Sequence, residues 1–283
     1  MHEPSIRTSR LAIAGGLAAA IVVGGAGFLI GRDTAPDPQP VLPRVIRMPV
    51  AVPTPAPSDT ARILARADLL ALATQAADAH AAGEPTPKPV QDAAGRRFEL
   101  TLPFGCTGPS APESSLPMRW RYDEEAATLR VSVTADRWQG ADWNLGGDMA
   151  ARPVEGFWIA RPWSGAARCA SGGQTTPTGR EPVLLPGQTL AIARFPEGEA
   201  QDEAEPRRFE VVKRVPADQF DGSQGLRVRV IGRVAAVPGA SPVRCTQPGG
   251  IDQRPICLIG ARFDEVRIEN PATDDVLGVW PIR

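Results

Sequence analysis

The chain has 283 residues, 30 of them proline and 28 glycine, and its 31 basic and 32 acidic side chains leave a formal net charge of -1. Near-neutrality gives no electrostatic reason for binding nucleic acid, which depends on basic patches that displace counterions from phosphate. The only histidines are His2 and His80, so Ser-His-Asp hydrolysis, Cys-His catalysis and histidine-ligated metals are excluded from everything beyond residue 97.

Residues 1–10 read as a short cytoplasmic tail. Residues 11–30, LAIAGGLAAAIVVGGAGFLI, carry no charge and no strongly polar side chain. At 1.5 Å per residue such a helix spans a hydrocarbon core of about 30 Å, so a transmembrane helix is expected here. A cleaved signal peptide is the competing reading, with Arg7 and Arg10 as its basic region and Gly24 and Ala26 near a small-residue cleavage site. The apolar run outlasts a typical signal core and continues through Phe28, Leu29 and Ile30, which favours an uncleaved signal-anchor. Charges flanking the span orient it weakly. The four cysteines point to an oxidising compartment for the long C-terminal part. The expected location is therefore the inner (cytoplasmic) membrane, single-pass, with the C-terminal domain outside the cytoplasm, in the periplasm of a Gram-negative cell. Gly16, Ala20 and Gly24, with Gly27 and Gly31, supply small-residue spacing through which two such helices could form a homodimer.

Residues 31–57 form a proline-rich stalk. Prolines at 36, 38, 40, 43, 49, 53, 55 and 57 preclude a helix and favour polyproline II, with a reach of at most roughly 70 Å. A docking segment for a proline-reading partner is the alternative to a spacer. Residues 58–83 are expected to form an amphipathic helix capped by Ser58 and Asp59 and stopped by Gly83. Its apolar face is read as Ile63, Leu64, Ala67, Leu70, Ala71 and Thr74, packed on the following domain. His80 is read as a favourable charge at the helix C-terminus. Residues 84–96 are a linker.

From residue 97 to 283 short apolar runs alternate with Gly, Pro, Asn and Asp turns, the pattern of a mainly β domain. RFELTL, MRWRY and TLRVSVTA give the first strands, the last two joined by a DEEAA turn. Further strands are expected at 155–161, 183–185, 188–195, 207–214, 225–234, 255–263, 264–269 and 276–282, the last two joined through NPATDD. The expected fold is a single β-sandwich or jelly-roll-like ectodomain. No regular repeat of 20–50 residues supports a propeller or solenoid.

Cys106, Cys169, Cys245 and Cys257 allow three disulfide connectivities. Pairing Cys245 with Cys257 closes the loop-like TQPGGIDQRPI and would contribute about 3 kcal/mol on a chain-entropy estimate. That leaves Cys106 for Cys169. Zinc fails on spacing, because there is no CxxC and no nearby histidine. No metal and no cofactor is called for, and no phosphate-cradling motif is present.

Paired carboxylates would suit glycoside hydrolysis. Asp123, Glu124 and Glu125 fall in a hairpin turn and read as solvated. Asp136, Asp142 and Asp148 fall in a presumed loop, but their six-residue spacing matches no compact calcium loop. Trp138, Trp143, Trp158 and Trp163 crowd 26 residues, beside Asp, Gln and Asn. In local composition this cluster resembles the platforms on which carbohydrate-binding modules stack sugars. The competing reading is core packing, since indoles bury much area. Arg227, Arg229 and Arg233 sit on the polar face of LRVRVIGRV, as a solvated face or an anion-binding one. The function expected is a non-enzymatic binding or scaffolding role in the envelope, with a protein or glycan partner. The alternative is a glycan-binding or carboxylate-based glycan-hydrolysing domain.

Overall fold

The computed structural model describes residues 62–169, 188–195 and 205–282. The tail, the apolar segment 11–30, the stalk, Ser58 and Asp59, and the strand expected at 183–185 lie outside the described residues. Among the described residues no helix is long and apolar enough to cross a membrane.

The fold is mainly β. Its strands are β1 Arg97–Phe104, β2 Met118–Asp123, β3 Thr128–Thr134, β4 Asp136–Gln139, β5 Pro153–Trp158 and β6 Leu190–Arg194. They continue with β7 Arg208–Arg214, β8 Leu226–Val234, β9 Val243–Thr246, β10 Ile256–Asn270 and β11 Asp275–Pro281. A larger sheet runs β1-β8-β10-β6-β5-β4, with β9 and β11 also paired to β10, and a smaller one runs β2-β3-β7. Alternation decides which side faces in. In β8, Leu226, Val228, Val230 and Val234 are buried while the arginines between them point away, as a strand with one covered face requires. These valines share one core with Phe98, Leu100, Leu129, Val131, Phe209 and Ile268, contributed by both sheets.

Three strand expectations need correction. Residues 255–263 and 264–269 form one strand, not two, because Asp264 is an extra residue where the register with β8 slips between Phe263 and Glu265. Such a bulge shifts the inside-outside alternation by one, which in sequence looks like a strand end. Residues 136–139, read as loop, and 243–246, not expected as a strand, are β4 and β9. Both are four residues long, too short to show a period.

Helix α1 spans Arg66–Ala81, and a short α2, Lys88–Gln91, interrupts the expected linker. The expected N-terminus is corrected as well: residues 62–65 are not helical, because Leu64 exchanges backbone hydrogen bonds with Arg97 and Glu99 beside β1. Capping falls instead to Asp68, whose carboxylate accepts the Ala65 N–H at 2.8 Å. The buried stripe is Leu69, Leu70, Ala73, Ala76 and Ala77 against the core, while Ile63, Ala67, Ala71 and Thr74 face solvent. The helix is alanine-rich on every side, so its apolar pattern alone could not place the inner face. Gly83 stops it with a φ of 68°, the left-handed cap that glycine takes without strain.

The β2–β3 turn carries a residue in the same left-handed region, Ala127 at φ 47°. An L side chain costs roughly 1–2 kcal/mol there. Ala127→Gly is therefore expected to raise the unfolding free energy by about 0.5–1 kcal/mol, the greater chain entropy of glycine cancelling part of the gain. Equilibrium urea unfolding of the two proteins would read this.

Both disulfides are present, Cys106 to Cys169 and Cys245 to Cys257, and no cysteine is free. Cys245 and Cys257 are directly opposed in the β9–β10 ladder, one pair from the connecting loop, so the bridge closes the loop end of that hairpin.

Candidate interaction site

The outer face of the larger sheet divides into two parts. Across β1, β8 and the second half of β10 it carries charge. Glu269 is almost wholly buried, and it accepts from Arg227 Nε at 2.6 Å and from Arg229 Nε and Nη2 at 2.8 and 2.9 Å. Burial raises its affinity for a proton, yet the bonds from Arg229 and Arg227 outweigh this and hold it below the ordinary glutamate range. Arg229 also pairs with Glu99. Arg227 and Arg229 are thus engaged within the sheet, and of the three arginines read as an anion-binding face only Arg233 is exposed.

Across β4, β5, β6 and the first half of β10 the outer face is covered by tryptophan. Trp138 and Trp158 meet edge to face at 5.2 Å, Trp138 and Trp143 at 5.7 Å, and Trp143 lies tilted 5.9 Å from Trp158. Beneath them are Ala191, Ala193 and Leu258, residues small enough in the middle strand to seat the rings. The covering segment 139–152 is drawn down by Arg244, which donates to the carbonyls of Trp143 and Asn144. It also folds on itself at Gly140, where a Cβ would fall 1.8 Å from the Met149 carbonyl oxygen. Trp143 is 2% exposed. With planes 85° and 87° apart, these three rings offer no common surface, so the four-tryptophan row is corrected to a three-ring cap over a second small core.

Trp163 is different, and 70% exposed. It occupies the third position of a β-turn closed by the Ser164 N–H donating to the Arg161 carbonyl at 3.0 Å. Pro162 stands at the second position, where its fixed φ suits such turns. The segment is held from beneath by Arg66, the first residue of α1 and only 3% exposed. Its guanidinium donates to the carbonyls of Ala160 at 2.5 Å, Ser164 at 3.1 Å, Arg161 at 3.2 Å and Thr101 at 3.4 Å. Burial, and then the charge of Arg161, pull its pKa down to about 10, so it remains cationic at neutral pH. The planar fork of arginine, with five donors, is what permits one side chain to hold so many acceptors. A further tie comes from Arg161, whose Nη2 donates to the Arg168 carbonyl, next to the Cys106–Cys169 bridge. The result is an exposed indole on a turn that an internal cation and a disulfide fix in place.

The acidic candidates do local structural work. Asp123 accepts the Ala126 N–H in its turn, and Asp142 accepts the Gln139 N–H. Asp136 lies at the first residue of β4, where the chain leaves the smaller sheet for the larger. Its carboxylate takes the Trp158 N–H at 3.4 Å, at the start of the β4 ladder. Burial raises its pKa to about 6 despite that hydrogen bond. Among the described residues no cluster of three or more side chains could hold a metal ion. A cleft of about 240 Å³ lies between the end of α1 and β9, lined by His80, Glu84, Thr86, Ser241 and Arg244, but Ser241 and Arg244 are turned to backbone carbonyls.

The chain matches no protein-family model, no curated protein and no solved structure.

Proposed function

We propose that this chain is a single-pass protein of the inner (cytoplasmic) membrane, anchored through residues 11–30 and spaced by the stalk 31–57. Its β-sandwich ectodomain is a non-enzymatic binding or scaffolding module of the cell envelope. Support for the compartment comes from the pairing of every cysteine, which an oxidising environment favours. Binding rests on one observation, the Trp163 turn. Exposing a tryptophan forgoes the burial of a large apolar side chain, and burying Arg66 to hold the turn beneath it costs desolvation. Rigid display of this kind suits recognition, because little conformational freedom is lost on binding.

The test is photo-crosslinking in intact envelopes, with a benzoylphenylalanine placed at Trp163 in the full chain and, as control, at Ile251, which is 92% exposed. An adduct from position 163 and none from 251 is expected. No adduct at 163, or equal labelling at both, overturns the binding role. Alkaline carbonate washing should leave the protein in the membrane pellet. Thiol reagents should label it only after reduction. A glycan partner is the second reading, favoured by the same exposed indole.

A further inference from the structure

We infer that the Arg161–Ser164 turn, with Arg168, is a subsite for one acidic sugar of an envelope polysaccharide, the ring stacking on Trp163 and its carboxylate paired with Arg161 and Arg168. The inference rests on the binding role proposed above and names its ligand class.

Three observations converge. The first is the indole itself, exposed and fixed from beneath, with a flat apolar face matched to the C–H face of a pyranose ring. The second is charge. Arg66 is occupied by carbonyls, and Arg161 and Arg168 form no ion pair among the described residues. Arg66 and Arg161 thus bring two guanidinium groups to one turn, with the exposed Arg168 reached through its backbone carbonyl, and with no carboxylate partner among the described residues they leave a positive field that an anion would neutralise. Arg161 spends one of its donors on the Arg168 carbonyl, so others remain for a carboxylate, which arginine pairs bidentately. The third is footprint. Next to the turn Gly165 and Ala166 are exposed, and Gly165 lies against the exposed Ala67, so the apolar area around the indole is small. A folded protein partner asks for about 800 Å² on each side, and an inserted membrane contact for a broad apolar face. One ring of a thin, charged polymer asks for neither.

The experiment uses full-length protein in detergent micelles, titrated calorimetrically with oligogalacturonate as a defined acidic saccharide. The comparators are a neutral oligosaccharide of equal length, poly-glutamate, and vesicles containing phosphatidylglycerol. Oligogalacturonate is expected to bind best, with Trp163→Ala weakening it about tenfold or more. The double variant Arg161→Asn with Arg168→Gln should remove the preference for the acidic sugar and flatten the salt dependence that paired charges impose. Asparagine is chosen because Arg161 sits at φ 51°, a conformation asparagine tolerates. Trp163→Phe, which keeps an apolar ring, should retain most of the affinity. Near-ultraviolet circular dichroism of each variant checks that the fold is intact. Poly-glutamate binding as tightly as the sugar, vesicles binding in preference to it, or Trp163→Ala leaving its affinity unchanged would each overturn the inference. So would a failure of oligogalacturonate to bind. If the crosslink at position 163 persisted in that case, the binding role would stand and only the ligand class would fall.

Discussion

Replacing Arg66 with alanine is expected to lower the unfolding free energy by about 4 kcal/mol, the range of mutations that leave several buried polar groups unpaired. The carbonyls of Thr101, Ala160 and Ser164 lose the guanidinium together, that of Arg161 keeps only the Ser164 N–H, and the side chain that replaces it cannot reach any of them. In a domain of about 200 residues this corresponds to a fall in melting temperature of roughly 10 °C. Arg66→Lys should recover only part of the loss, since one ammonium cannot spread its donors over acceptors on two segments. The same variants carry a second readout. If Arg66 is what holds the turn, crosslinking from position 163 should fall in Arg66→Lys even at temperatures where that protein is folded. Unfolding by urea followed by circular dichroism checks the first expectation. A loss below about 1 kcal/mol, the worth of a single ordinary hydrogen bond, would show that water replaces the guanidinium without penalty.

Arg66 also marks the limit of what can be read from the chain. In ILARADLLAL nothing separates it from a solvated helix arginine, because its partners lie 35 and 94–98 residues away. Sequence patterns report local period, and they served where period was the deciding quantity. The alternation of β8 and of TLRVSVTA showed both the strands and their inner faces. The cysteine pairing was legible too, because a Pro-Gly-rich segment between Cys245 and Cys257 reads as a loop. Where two faces of an element are both covered, the pattern loses its meaning. β5 and β6 pack on the main core on one side, through Phe157 and Ile192, and under the indoles on the other, through Val154, Ala191 and Ala193, so sequence pattern leaves a displayed group and core packing as competing readings, and three of the tryptophans are a lid. Trp163 was drawn into the same group by nearness in sequence alone. Only the turn closed by Ser164 and the clamp from α1 separate it.

The carboxyl of Asp136 gives the second large effect, and its sign is opposite to that of a paired acid. Its pKa is raised from 3.8 to about 6 in the folded protein, chiefly by burial. Between those pH values the folded state binds more protons than the unfolded state, so stability falls as pH rises. The contribution is fully present below about 4, is lost through pH 6, and amounts at most to about 3 kcal/mol, nearer 2 once partial solvent access is allowed for. Asp136→Asn keeps an oxygen to accept the Trp158 N–H but carries no charge to desolvate. At pH 7.5 it is therefore expected to be more stable than the native sequence by about 2 kcal/mol, while at pH 4 the two should coincide. Taking the difference between the proteins at each pH cancels the titration of every other group. Urea midpoints at pH 4, 5, 6 and 7.5 would trace it. A difference that is constant with pH would mean that Asp136 is solvated as an ordinary surface acid and that the junction between the two sheets is open to water.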